Sequence, residues 1–288
     1  MNKMQQTAVT IGFFDGVHRG HRHLLTQLVG EARQRGLVPV VVTFDRMEDC
    51  LTTAEEKERM LGLLGIEQCR VLTLDKTLMA MSAEEFMRDV LKERMGARLL
   101  MVGCDNRFGR DRQEGYDDYC RYGNEMNIEV LRGEEMTEDG EKISSSQIRQ
   151  LIGRGRVDEA ARLLGYDYAI EGTVIHGRHI GTEIGFPTAN ISLLSNGKMI
   201  PAEGVYAVRV TVDGRTVDGL MNIGSNPTIT DDGRMSLEVY MIDFNECVYD
   251  KKMRVEFRKW IRDERRFESV EALRAQIERD VENLKIKN

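Results

Sequence analysis

No apolar run in the 288 residues is long enough to span a bilayer, and the opening M-N-K-M-Q-Q-T-A-V has no apolar signal-peptide core. The sequence therefore predicts neither a membrane span nor export, and a cytoplasmic location is expected. Cysteine is sparse: Cys50, Cys69, Cys104, Cys120 and Cys247 contain no C-x-x-C pair, and their number is odd. This argues against a disulfide frame or a zinc site and reads as reduced thiols. Excess positive charge is missing too: 41 Lys and Arg stand against 48 Asp and Glu, a formal net charge of −7. A broad nucleic-acid footprint needs the opposite balance, so the charge leaves room only for a local basic site on a small phosphorylated ligand. Internal repeats and low-complexity tracts are absent. What is there is an ordinary globular mixture, 41% hydrophobic and 31% charged, in a chain long enough for two domains.

The first half alternates. Strands are expected at 7–11, 37–44 (L-V-P-V-V-V-T-F), 70–74, 98–102 and 128–131, with helices at 21–35, 55–64 and 82–95. The last helix opens S-A-E-E, a capping box of Ser82 and Glu85. This order predicts βαβ units and a parallel sheet, which binds ligands at the carboxyl ends of its strands. Two short helices follow at 146–152 and 157–164, the second closed by Gly165. Beyond Tyr168 the pattern turns to short strands without intervening helices, including V-D-G-R-T-V, a hairpin through Asp213-Gly214. That predicts a small antiparallel barrel, followed by a helix over 269–284. The boundary falls near Gly165–Tyr168, giving domains 1–166 and 167–288.

The stretch T-I-G-F-F-D-G-V-H-R-G-H sets His18 and His21 three residues apart in a glycine-rich turn between a strand and a helix. Such a turn exposes N–H groups, and the helix start adds partial positive charge, so an anion site results. Two imidazole donors there would stabilise the charge that builds on an α-phosphate under attack. Gly20 would let that phosphate come close to the backbone. From spacing alone a metal-binding pair, or surface histidines near a turn, stays equally open. A second segment, I-S-S-S-Q-I-R, sets Ser144 and Ser145 before Arg149 at a helix start, either as a cap or as phosphate ligands.

H-x-G-H early and S-S-S-x-I-R late resemble the nucleotidyltransferases that move a nucleoside monophosphate and release pyrophosphate. Farther on come G-F-P-T-A-N at Gly185, G-V-Y-A-V at Gly204, N-I-G-S-N-P-T at Asn222, L-E-V-Y at Leu237 and R-D-E-R-R-F at Arg262. In that order they resemble the riboflavin kinase barrel. Over nearly its whole length the chain is similar to the prokaryotic bifunctional riboflavin kinase/FMN adenylyltransferase (FAD synthetase) family. The resemblance implies an α/β + β fold: an N-terminal Rossmann-like nucleotidyltransferase domain, then a riboflavin kinase-like barrel with a terminal helix. It implies riboflavin, FMN and ATP as substrates and Mg²⁺ as cofactor, with neither nucleic acid nor membrane as partner. Glu238 matches the general base, Thr188 and Asn190 the holders of Mg²⁺ and phosphates, and Arg262, Glu264 and Phe267 the flavin segment. In the transferase half His18 and His21 match the catalytic pair. Gly12, Phe13, Asp15 and Gly16 match the nucleotide loop, Asp105 and Arg107 a G-x-D-x-R-F-G loop, and Ser144, Ser145 and Arg149 the late phosphate motif.

Three places depart from the family. After T-F the usual Pro-His-Pro is replaced by T-F-D-R-M-E-D-C, Thr43 to Cys50, in a shortened loop; Asn106 stands in for an aromatic or histidine; and Thr182 replaces an arginine. Two enzymes are therefore expected as alternatives: one that makes FMN and then FAD, or a riboflavin kinase whose front domain is impaired or regulatory. A non-catalytic flavin- or nucleotide-binding module is a third.

Overall fold

A computed structural model describes residues 5–45, 48–176, 185–195, 197–225, 235–265 and 267–285. Thr182, Arg46, Met47, Arg266 and the N-P-T of N-I-G-S-N-P-T lie outside them. The chain divides into two compact units, Met1–Ser145 and Ser146–Asn288.

The first unit runs β1 (Thr7–Ile11), α1 (Arg19–Arg35), β2 (Val38–Phe44), α2 (Ala54–Leu63), β3 (Gln68–Leu72), α3 (Lys76–Ala80), α4 (Ala83–Glu85), β4 (Ala97–Val102), α5 (Tyr116–Met126), β5 (Glu129–Arg132) and a small hairpin, β6 (Thr137–Glu138) with β7 (Glu141–Lys142). The five long strands form a parallel sheet in the order β3-β2-β1-β4-β5. Side chains alternate across it. Val9 and Ile11 join one apolar cluster with Val40, Val42 and Leu100. Ala8 joins the other, with Val41, Leu99, and Leu25 and Leu28 of α1. Burial on both faces explains the near-continuous apolar runs of β1 and β2. The strand order reverses between β1 and β4, so the crevice lies at their carboxyl ends.

The capping box of Ser82 and Glu85 forms in both directions. The helix expected beyond it widens into π turns over Phe86–Lys92, which bury Phe86, Met87, Val90 and Leu91. Helix α5 was not legible beforehand. Its buried stripe is Tyr119, Gly123 and Met126, at helical spacing but with one apolar aliphatic residue only.

The second unit takes in α6 (Ser145–Ile152) after its first residue, then α7 (Val157–Leu164), β8 (Ala169–Ile175), β9 (Thr188–Leu193), β10 (Gly204–Val212), β11 (Arg215–Ser225), β12 (Met235–Met241), β13 (Lys252–Arg262) and α8 (Val270–Lys285). Six strands close into a barrel, β10-β11-β12-β9-β8-β13. Asp213 and Gly214 have φ of 51° and 74°, the paired left-handed residues of a two-residue hairpin turn between β10 and β11. Tyr206, Val208, Met221, Val239, Val255 and Phe257 are fully or almost fully buried at alternating positions. The residues between them, among them Asn222, Glu238 and Tyr240, therefore face outward.

Candidate functional site

Beyond β1 the chain makes a strained turn. Phe14, Gly16 and Val17 have φ of 47°, 80° and 35°. For Phe and the β-branched Val this left-handed backbone costs about 1–3 kcal/mol each and persists only where neighbours over-determine it. His18 ends the turn as the N-cap of α1: its Nδ1 accepts from the His21 backbone N–H at 3.3 Å. A neutral His18 that accepts at Nδ1 carries its proton on Nε2. The His18 and His21 rings stack at 3.5 Å between centroids, and the Phe14 ring meets His21 edge-on at 5.2 Å. A Cβ at Gly20 would lie 3.3 Å from the His18 ring. Glycine at that position therefore seats the imidazole, whatever else approaches.

Both histidines are held neutral. Burial, opposed by Asp15 and helped by Lys142, pushes His18 down to about 4. Burial, His18, Lys57 and Lys142 push His21 well below its ordinary value. His21 Nδ1 is shielded from solvent and has no hydrogen-bond partner among the described residues. No acidic side chain sits in the first turn of α1, so its partial positive charge is uncompensated.

A cleft of about 810 Å³ opens over this turn, lined by Gly12, Phe13, His21, Asp105, Arg107 and Ser145 among others. Asp15, Gly16 and His18 lie behind the wall. Buried Asp15 accepts from the N–H groups of Leu51 and Thr52 at 2.9 and 3.1 Å, and Thr52 Oγ1 accepts from Gly16 N at 3.1 Å. The shortened loop after β2 is thus clamped to the histidine turn. Ser145 Oγ donates to the Asp15 carbonyl at 2.9 Å, joining the late motif to the early one. Ser144 lies just before it, half-buried, and Arg149 falls in the second unit. Asp105 pairs with Lys142, and the Asn106 amide donates to the Ile11 carbonyl at the end of β1. The other end of the cleft is apolar: Phe13 and Phe44 (centroids 5.4 Å apart), Leu74, Leu78 and Met79. Lys57, Lys142, Phe44 and Met79 were not anticipated; single lysines and scattered apolar residues carry no spacing signal.

The second unit has its own cleft, about 290 Å³, on the outer face of the barrel. Register explains what meets there. Glu238 stands opposite Asn190 on one side and Asn222 on the other; Tyr240 stands between Thr188 and Leu220. These directly paired positions share a face. Ser236 Oγ donates to Glu238 Oε1 at 3.0 Å. Arg262, Glu264 and Phe267 line the same cleft with Leu273, Ile277 and Asp280 of α8. The Arg262 and Arg265 guanidinium groups lie 5.6 and 4.9 Å from the Phe267 ring centroid. Arg262 Nε bonds Asp280, which is only 2% exposed, at 2.9 Å, and Gln276 donates to the same carboxylate at 2.7 Å. Asn222 donates to Glu264 at 3.3 Å. Asn222, Tyr240 and Asp280 were also missed, since cross-strand register and helix docking are invisible in one dimension.

Among the described residues no group of three or more His, Cys, Asp and Glu is arranged to hold a metal. Thr188 and Asn190 offer hard oxygens beside Glu238, a set that fits a magnesium ion carried in by a nucleotide and keeping most of its waters.

Residues 1–147 match the FAD synthetase family and residues 164–287 the riboflavin kinase family. Bifunctional riboflavin kinase/FMN adenylyltransferase from Escherichia coli K12 is 38% identical, covering 94% of this chain and 90% of its own. The enzymes of that name from Pseudomonas fluorescens and Bacillus subtilis are 36% and 33% identical, covering 94% and 96% of this chain and 90% of their own lengths. A crystal structure described as a macrolide-efflux protein from Streptococcus pneumoniae superposes with a TM-score of 0.89 at 32% identity, over 98% of this chain and 94% of its own. Among the described residues of this chain no helix is long and apolar enough to cross a membrane.

Proposed function

The chain belongs to the bifunctional riboflavin kinase/FMN adenylyltransferase family, and from that premise we propose which residues of its two clefts make FMN and then FAD. The enzyme phosphorylates riboflavin with ATP and adenylylates FMN with a second ATP, releasing pyrophosphate. Relatives that span 94% of the chain bear both activities in their names, so the two-step reading stands over a kinase with an idle front domain. The observation that carries the residue assignment is convergence. Gly12, Phe13, His21, Asp105, Arg107 and Ser145, far apart in sequence, line one cleft, and Thr188, Glu238, Arg262, Glu264 and Phe267 line the other.

In the kinase cleft, Glu238 is the general base. It takes the proton of the ribityl 5′-hydroxyl as that oxygen attacks the γ-phosphorus of ATP, and ADP leaves. The Ser236 hydroxyl on Oε1 fixes the carboxylate and leaves its other oxygen for the substrate. Thr188 and Asn190 hold Mg²⁺ with the phosphates; the ion supplies charge neutralisation on the transferring group. The apolar side of the cleft, with Phe267, Leu273 and Ile277, takes the flavin ring, and Arg262 and Glu264 flank it.

In the transferase cleft, an FMN phosphate oxygen attacks the α-phosphorus of ATP and the bond to the β-phosphate oxygen breaks. His21, at the cleft wall, acts as a neutral N–H donor toward the α-phosphate, and His18, stacked on it from behind and capping α1, holds that ring in place. The uncompensated start of α1 adds to that stabilisation. Ser144 and Ser145 hold phosphate oxygens, and Asp105 and Arg107 line the nucleotide side. Asp15 serves by fixing the loop. Phe13, Phe44 and Met79 form the wall against which FMN stacks.

We assign the activities to 1–166 and 167–288. The enzyme works on small molecules in the cytoplasm, a reading supported by five free cysteines and the acidic balance. Two variants test the division. Glu238→Gln stops FMN formation and still turns supplied FMN into FAD; His21→Ala does the reverse. Equal loss of both activities in either variant contradicts the assignment.

A further inference from the structure

One place where the sequence leaves the usual pattern of its family is the segment after β2, and the structure gives that segment a task. The Phe13 carbonyl, at the mouth of β1, accepts two hydrogen bonds: from Lys57 Nζ of α2 at 2.8 Å and from Thr43 Oγ1 of β2 at 2.9 Å. Lys57 Nζ also lies 3.3 Å from Thr43 Oγ1. The next residue is Phe14, with φ of 47°, whose ring abuts His21. On the far side of the turn, Thr52 and the Asp15 carboxylate tie Gly16 and Asp15 to the same short loop. A capping box of Thr53 and Glu56 fixes the start of α2. Lys57 therefore reaches back from a rigid helix onto the one carbonyl that precedes the strained residue.

We propose that Lys57 is a positioning residue for AMP transfer: its ammonium locks the Phe13 carbonyl and, through Phe14, holds His21 in the cleft. A left-handed Phe needs outside restraint. The bond from a charged donor to a carbonyl is stronger than a neutral one. Without it, Thr43 alone restrains the peptide, the Phe14 backbone relaxes and the His21 ring loses its edge contact. The segment lacking Pro-His-Pro thus acts as a clamp on the histidine turn. The lysine charge has a second effect. Burial keeps His21 neutral first, and the lysine, with His18 and Lys142, adds in the same direction, while Asp15 acts in the opposite sense on the neighbouring His18.

The inference rests on the assignment of His21 above, and the test separates the two. With the full-length enzyme, FAD formation from supplied FMN is measured over a range of ATP for wild type, Lys57→Met, Lys57→Arg, Thr43→Val and His21→Ala. Lys57→Met lowers kcat about 10- to 100-fold with little change in the KM for ATP, the loss expected from a displacement of about 1 Å. Lys57→Arg restores most of it, Thr43→Val shows a smaller loss of the same kind, and riboflavin phosphorylation is unchanged throughout. In Lys57→Met the NMR titration of the His21 ring moves to higher pH, and Lys57→Arg returns it toward wild type, because burial and then nearby positive charge hold it down. If Lys57→Met fails to fold its first unit, Thr43→Val carries the test alone. Wild-type kcat in Lys57→Met, or a loss confined to KM, overturns the lysine's role while His21→Ala is inactive. Full FAD formation by His21→Ala overturns the histidine assignment and the lysine's role with it.

Discussion

Acid should destabilise the first unit through His18. The folded protein holds this imidazole neutral down to about 4, against an ordinary value of 6.5, because it is buried. Geometry gives the same sign: a protonated Nδ1 cannot accept from His21 N–H, so protonation also removes the cap of α1. The unfolded chain binds the proton at the ordinary value and the folded chain resists it. Stability is therefore intact above 6.5 and is lost as pH falls through the window from 6.5 to about 4. A tenfold change in proton affinity is worth about 1.4 kcal/mol, so moving from about pH 7.5 to about pH 5 costs roughly 2 kcal/mol at His18 alone. His21, also depressed by burial, adds in the same direction. For a unit of this size that is a fall of about 4–8 °C in Tm. Carboxylates titrate nearby, so the assay is differential: scanning calorimetry of wild type and His18→Asn, in which asparagine keeps a good N-cap without titrating. Wild type loses about 2 kcal/mol more than the variant over that range. Parallel curves would refute the reasoning.

Two further outcomes follow from the same geometry. Asp280→Ala leaves the Arg262 guanidinium without its buried carboxylate; it destabilises the second unit by about 3 kcal/mol and abolishes FMN formation, with FAD formation from FMN retained, as denaturant melts and separate assays would show. Gly20→Ala puts a Cβ 3.3 Å from the His18 ring and shifts it by a few tenths of an ångström, so FAD formation slows about tenfold while kinase turnover holds. A Gly20→Ala enzyme with normal transferase kinetics would show that the ring tolerates the displacement.

The architecture was largely readable in one dimension because burial on two faces writes continuous apolar runs, as in V-P-V-V-V-T-F, and a barrel writes alternation, as in M-S-L-E-V-Y-M. Glycine and capping signals fixed several ends, at Ser82, Gly165 and Asp213-Gly214. Helix α5 escaped because its inner stripe, Tyr119, Gly123 and Met126, holds a single aliphatic residue among acidic and polar ones. Contact across elements could not be read at all. Glu238 and Asn222 are neighbours only through the register of β11 on β12. The Asp15 bonds to Leu51 and Thr52 turn a missing motif into a clamped loop, which no comparison of motifs could anticipate.

The central claim is that one chain carries two working clefts. The direct measurement is a chromatographic time course of the purified protein with riboflavin, Mg²⁺ and ATP. The account predicts FMN first and FAD after it, with pyrophosphate released in step with FAD. FMN that accumulates without FAD, even with FMN supplied and pyrophosphatase present, would contradict it.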